Sequence, residues 1–311
     1  MAGARGLVGT VDKVLSRATL AARGTSDAEL GRLVRRGELE RIRRGCYARA
    51  PVGDQSLEER HLLAVAAAVP LLEPPVVLSH GSAAVVRRLP VWPQAVEHVH
   101  ITHPRRGGGR RRTTVHRHAS ALDHHETALV DGWQVTSLAR TVVDLARTLP
   151  FEQAVAAADR AQAVGLEPTE LAETVERARR WPGAIAARRV EAFADRRSES
   201  AGESVSRVRI LELGLPAPEP QLRIVDGEHV VARVDFGWAE LRTVAEFDGK
   251  VKYGRLLRPG QEAGDVVFRE KQREDMLRDL GWEVVRWIWA DLAHPEVIEG
   301  RLRRAFRRGT R

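Results

Sequence analysis

Apolar residues recur at helical spacing from Asp12 to Ala22 and again from Ser26 to Arg36, with Gly24 between, and then alternate from Glu38 to Ala48 as strands do. The predicted order is helix, turn, helix, hairpin. Ser26-Asp27-Ala28-Glu29 has the spacing of a capping box and Gly37 stands at the C′ position, which gives the second helix a defined start and stop. Along it Leu30, Leu33 and Val34 make one apolar stripe and leave Arg32, Arg35 and Arg36 toward solvent. Leu39, Ile42 and Tyr47 flank the turn Arg43-Arg44-Gly45.

From Leu57 to Trp181 the pattern opens with an Ala/Leu/Val helix and closes with a helical stretch from Thr141 to Ala163. Between them Val96 to Thr102 and Thr114 to His118 alternate like half-buried strands, predicting a hairpin. Its tip, Arg105 to Arg112, carries five arginines around three glycines. Arg179 to Ser206, dense in Arg, Ala, Ser and Gly, marks a change of domain. Beyond it Leu222 to Val225, Val230 to Trp238 and Arg242 to Phe247 read as strands, Asp265 to Leu280 as a helix and Trp282 to Trp289 as a further strand. The domains expected are 1–52, 53–182 and 183–311.

Composition adds scale and a partner. A chain of 311 residues exceeds one typical core and calls for two or three domains. The net charge of +8 is carried mainly by Arg, which forks onto phosphate, so nucleic acid is the leading partner. A GC-rich coding sequence that favours Arg and Ala codons would give the same excess. Cys46 is the sole cysteine, which excludes an intramolecular disulfide and a Cys-rich zinc site. No apolar run reaches the roughly 18 to 20 residues of a membrane span, and the N-terminus lacks a signal-peptide core. A soluble, cytoplasmic protein without membrane association is expected.

The first fifty residues resemble a winged helix-turn-helix. The wing Leu39-Glu40-Arg41-Ile42-Arg43-Arg44-Gly45-Cys46-Tyr47 is similar to that of AbiEi-like antitoxins, and Leu78-Ser79-His80-Gly81-Ser82-Ala83-Ala84 and Thr136 to Asp144 resemble the α/β body of that family. The resemblance implies DNA binding by the N-terminal module. Arg32, Arg35 and Arg36 would lie on the recognition helix, and Arg41, Arg43 and Arg44 on the wing, against groove and backbone. It also implies a cognate toxin as partner if the chain acts as an antitoxin. Modules of this kind bind protein as well.

The last third carries carboxylates where strands are expected. Side chains alternate along a strand, so Glu246, Asp248 and, while the strand lasts, Lys250 share one face. A turn through Trp238 to Arg242 would bring Asp235 beside Glu246. Adjacent carboxylates repel, and a divalent cation removes the repulsion; all-oxygen ligands suit Mg²⁺. Glu203-Ser204-Val205-Ser206-Arg207, Val234-Asp235-Phe236, Glu246-Phe247-Asp248-Gly249-Lys250 and Lys271-Gln272 ahead of Gly281-Trp282-Glu283-Val284 together resemble the very-short-patch-repair-like branch of the PD-(D/E)xK nuclease superfamily. That implies a restriction-endonuclease-like mixed sheet flanked by helices, with Glu203, Asp235 and Glu246 holding Mg²⁺ or Mn²⁺ for DNA hydrolysis.

The superfamily signature has Lys where Asp248 stands. Asp248 is then a third ligand and Lys250 the cation beside the attacking water, with Lys252 as its rival. Against this, Asp248-Gly249 reads as a turn and Glu203 as a first-turn residue favoured by the helix dipole. One such centre cuts one strand per visit, so cutting both calls for a homodimer or two visits.

The expected whole is a multidomain α+β and α/β chain, either a DNA-binding protein with an endonuclease-like domain acting against foreign DNA, or a non-catalytic repressor or antitoxin with a relic nuclease domain. His98, His100, His116 and His118 alternate on the two middle strands, as a polar sheet face or as converging imidazole ligands. His80 beside Ser79 and Ser82 hints at nucleophilic chemistry, without an acid to complete it.

Overall fold

A serine sets the first boundary. Val14–Ser16 is a short strand, β1, whose Val14 and Ser16 pair with Ala48 and Cys46. Helix α1, Arg17–Ala22, begins only after Ser16 accepts the Thr19 N–H, later than the spacing from Asp12 predicts. The computed structural model describes residues 13–49, 55–103, 110–111, 114–249 and 263–310. Helix α2, Asp27–Arg35, starts at Ser26, whose Oγ accepts the Glu29 N–H at 3.2 Å. Strands β2, Leu39–Arg43, and β3, Cys46–Arg49, form an antiparallel hairpin through Gly45, at φ 78°. The sheet order is β1-β3-β2. Leu20, Leu30 and Leu39 are buried beneath it, with Leu15, Leu33, Val34 and Tyr47 packed around them.

Helix α3, Leu57–Ala68, carries a complete capping box between Ser56 and Glu59. There follow β4 (Val77–Leu78), α4 (His80–Val86), β5 (Val99–His103), β6 (Arg110–Arg111), β7 (Val115–Ala119), β8 (Thr127–Val130) and β9 (Trp133–Thr136). These strands make one sheet in the order β6-β7-β5-β4-β9-β8. β5 and β7 run parallel, His100 opposite His116, and so are not the two arms of a hairpin. The antiparallel partner of β7 is β6, on its outer side. The arginine-rich tip falls largely outside the described residues. Val65, Leu78, Val86, Ile101 and Val135 form the core. Helix α4 packs so closely that a Cβ on Gly81 would lie 1.7 Å from the Ala95 carbonyl oxygen.

The helical stretch after β9 is two helices, α5 (Leu138–Ala146) and α6 (Phe151–Ala163), separated at Pro150, which has no N–H to continue a helix. Helices α7 (Pro168–Arg177) and α8 (Ala184–Phe193) follow.

The last third reads α9 (Ala201–Glu212), β10 (Glu219–Asp226), β11 (His229–Trp238), β12 (Thr243–Asp248), α10 (Ala263–Asp279), β13 (Glu283–Ile288), α11 (Trp289–Leu292) and α12 (Pro295–Gly309). Its sheet has the order β10-β11-β12-β13. The first three strands are antiparallel meanders, and β13 joins β12 in parallel, a pairing that needs a crossover such as α10. Ile224, Val234, Val244, Leu277 and Trp282 fill the space between sheet and helix. Trp287 is buried, its Nε1 donating to Ser206 Oγ at 2.8 Å.

By contacts the chain divides into two units, residues 1–157 with 165–192 and residues 158–164 with 193–311. Both are mixed α/β. Among the described residues no helix is long and apolar enough to cross a membrane.

Candidate functional site

Helix α2 and the β2–β3 hairpin sit on one small sheet, and that fixes where their cations point. Arg32, Arg35, Arg36, Arg41 and Arg44 are exposed. Arg35, Arg41 and Arg44 line one open groove together with Arg17, Asp27, Gly31, Gly45 and Tyr47. Arg17 grips Asp27 with two hydrogen bonds, Nε to Oδ1 at 2.9 Å and Nη2 to Oδ2, so this pair cancels and the groove stays cationic. Arg43 is different. It is half-buried and donates from Nη1 to the Ala67 carbonyl at 3.3 Å, which caps the end of α3. Five of the six arginines expected to meet DNA therefore face solvent. Arg17 and Tyr47 also belong to the groove, and nothing in the spacing singles them out.

In the second unit Glu203 lies in the first turn of α9, Asp235 on β11, and Glu246 and Asp248 on β12. A Cβ on Gly202 would fall 1.9 Å from a ring carbon of Phe247, so glycine lets α9 approach β12 here. The pairing of Phe236 with Ala245 carries Asp235 to the level of Glu246. Asp235 is pushed up to about 6 by burial first and then by the charge of Glu203, with Glu246 adding to it. Its Oδ2 accepts the Phe247 N–H at 2.8 Å.

The neighbours of Asp235 are already engaged. Glu203 is buried and accepts from the Glu199 N–H at 2.9 Å, Ser200 Oγ at 2.8 Å and Gln221 Nε2 at 2.9 Å. Glu246 is paired with Arg273 and, at 3.1 Å, with Arg286, its parallel-strand partner. Asp248 is exposed, as is Lys271. Lys250 and Lys252 lie outside the described residues. Arg273, Arg286 and Gln221 are the residues that spacing misses; Gln221 holds a left-handed φ of 58°, the kind of local strain that accompanies a fixed polar contact.

Of the histidines, His100, His116 and His118 come together, and His80 joins them with its ring stacked on His118 at 3.7 Å. His98 lies just ahead of β5, with Glu97 at 3.9 Å. Beneath the cluster Arg140, 1% exposed, holds Asp144 through Nε at 3.1 Å and Glu126 through Nη1 at 3.2 Å. Its guanidinium also lies 4.4 Å from the Trp181 ring.

Comparison with known proteins bears on the first of these regions. Residues 12–50 match the family model described as transcriptional regulator, AbiEi antitoxin. The groove arginines fall inside that match. Two curated Mycobacterium tuberculosis proteins, the uncharacterized proteins MT2308 (strain CDC 1551 / Oshkosh) and Rv2248 (strain ATCC 25618 / H37Rv), are each 34% identical over 165 residues. The alignment covers 52% of this chain and 58% of each relative, so the chain spans little more than half the length of those relatives. The crystal structure of RV2827C protein from Mycobacterium tuberculosis aligns with 73% of this chain and 87% of its own, at 18% identity and a TM-score of 0.40.

Proposed function

We propose that this chain is a DNA-binding transcriptional regulator of antitoxin type, which reads operator DNA with its N-terminal module and has a cognate toxin as partner. One observation carries the reading: the segment matching the AbiEi antitoxin model presents Arg35 from α2 and Arg41 and Arg44 from the hairpin around one groove. Two helices followed by a hairpin suit a winged helix-turn-helix, with α2 entering the major groove and the hairpin reaching the adjoining backbone. Guanidinium groups on two elements then grip phosphates on both sides of the helix axis.

The test is anisotropy with full-length protein and duplex DNA from its own upstream region, across salt. Each lost phosphate contact lowers the slope of log affinity against log salt by about 0.9, so R35A/R41A/R44A lowers it by roughly three. Equal affinity and slope for the triple variant would overturn the assignment.

A second reading, a metal-dependent endonuclease acting on DNA, is favoured by the strand order with its single parallel pair and by Asp235 lying among Glu203 and Glu246. A Mg²⁺ or Mn²⁺ ion held by Asp235, Glu246 and Glu203 would supply an activated water and neutralise phosphate charge. The residues fit such an ion poorly. Glu203 is occupied by three donors, and Arg273 and Arg286 already neutralise Glu246. This geometry suits a nuclease-like scaffold retained without its metal. Incubating supercoiled plasmid with the protein and Mg²⁺ or Mn²⁺ separates the two readings. Nicking that disappears in D235A/E246A establishes the nuclease, and binding without nicking leaves the regulator.

A further inference from the structure

We propose that His80, His100 and His118 bind one borderline divalent transition-metal ion, Zn²⁺ in the first instance, with a fourth coordination position open. Among the described residues these are the set whose ligand atoms all lie within 4.8 Å of one another. Each comes from a different element: His80 opens α4, His100 is on β5 and His118 on β7. The parallel register that places Thr102 opposite His118 and His100 opposite His116 is what brings them to one spot.

A polar sheet face would tie each ring to a backbone group, as His61 is tied to the Val96 carbonyl at 3.0 Å. His100 and His118 are instead turned on each other, Nδ1 to Nε2 at 2.9 Å. Two facing imidazole nitrogens can share one proton between them, and a metal ion can take that proton's place. Tetrahedral bonds of about 2.0–2.1 Å set ligand nitrogens about 3.4 Å apart, so the pair needs to open only slightly.

The surroundings are those of a supported site. His80 Nδ1 meets Ser79 Oγ at 3.0 Å and lies 3.9 Å from Asp144 Oδ2, which engages one nitrogen; the ring now lies stacked on His118 and has to turn to bring Nε2 to the metal. Asp144 is held in turn by Arg140 and by Arg147 at 3.4 Å. Ser82 Oγ accepts the His100 N–H at 2.7 Å and meets His61 Nε2 at 2.8 Å, locking β5 to α4 beside the cluster. His80 keeps a left-handed φ of 49°, next to Gly81, whose backbone lies close against the Ala95 carbonyl. Imidazoles select the zinc, copper and nickel class over Mg²⁺, and three protein ligands leave room for water or an anion.

The experiment uses untagged full-length protein, stripped with chelator and titrated with Zn²⁺ by calorimetry and with Co²⁺ by visible absorption. One equivalent per chain is expected, with the intense absorption of four-coordinate Co²⁺. H100A and H118A should each weaken binding at least tenfold, while H98A and D235A/E246A leave it unchanged. X-ray absorption at the zinc edge of unmodified protein should count three imidazole nitrogens, a readout independent of how the variants fold. Substoichiometric binding, an edge spectrum with fewer than three imidazoles, or undiminished affinity in a folded H100A/H118A protein would overturn the site.

Discussion

Arg140 is a fully buried cation facing two carboxylates, Asp144 and Glu126, and burial raises Asp144 against the pull of its arginines. Removing it leaves buried Glu126 without its arginine and Asp144 with Arg147 alone. R140A should cost about 3–5 kcal/mol in urea unfolding, whereas an exposed neighbour such as Arg88 should cost well under 1 kcal/mol. Asp235 gives a pH test. Its native pKa of about 6 lies above the unfolded value of 3.8, so the folded protein binds more protons between those limits and loses stability as pH rises through them. The loss by pH 7 is on the order of 3 kcal/mol, and D235N should abolish that slope and be the more stable protein at pH 7. If Mg²⁺ restores stability to the unmodified protein but not to D235N, the cation reading of the site gains ground. Glu246 and Asp248 are legible from period-two spacing, Asp235 from the turn ahead of that strand, and Glu203 only from the resemblance to the nuclease superfamily. Their cationic partners were not, because Arg273 and Arg286 arrive from elements distant in sequence.

At the scale of elements, the N-terminal module was the most legible part. Ser26, Gly37 and the Arg-Arg-Gly turn are local signals, and α2 and the hairpin form where those signals stand. Strand β1 was hidden because three residues carry no period, and pairing with β3 is what holds them extended. The β5–β7 pair misled for a related reason: alternation predicts that a segment is a strand but says nothing about its partner or direction. Convergence of the histidines was unreadable without that direction. Arg43 shows the same limit within the β2–β3 hairpin. R43A should lower stability by about 1 kcal/mol through loss of the α3 cap and leave the salt dependence of DNA binding unchanged, the opposite of what R35A, R41A or R44A should do.

At the scale of the molecule, the chain enters its second unit twice, at residues 158–164 and again from residue 193. The first visit supplies Asp159, which accepts the Asp195 N–H at 2.8 Å and holds Arg207 at 2.9 Å. Sequence composition marks one boundary near Arg179 and cannot show an excursion so short. D159A should destabilise the second unit by about 1–3 kcal/mol, since half-buried Arg207 loses its ion pair and the Asp195 N–H its acceptor, and a fragment beginning at residue 193 should carry the same defect. Differential unfolding of the two proteins by tryptophan fluorescence would check it.

The six-stranded sheet of the first unit is joined across its middle by β4, two residues long, with Leu78 making the single bridge to Val135. Such a seam is a crease. Transient opening should part the β5 side from the β9 side there, so amide hydrogens at Leu78 and Val135 should exchange sooner than those deep in the β5–β7 ladder. His80 follows β4 and His100 and His118 lie on β5 and β7, all on the β5 side of that bridge, so an ion held by the three would stitch β4 to β5 and β7 and leave the β9 side to part alone, and zinc should slow exchange along β5 and β7 more than at Val135.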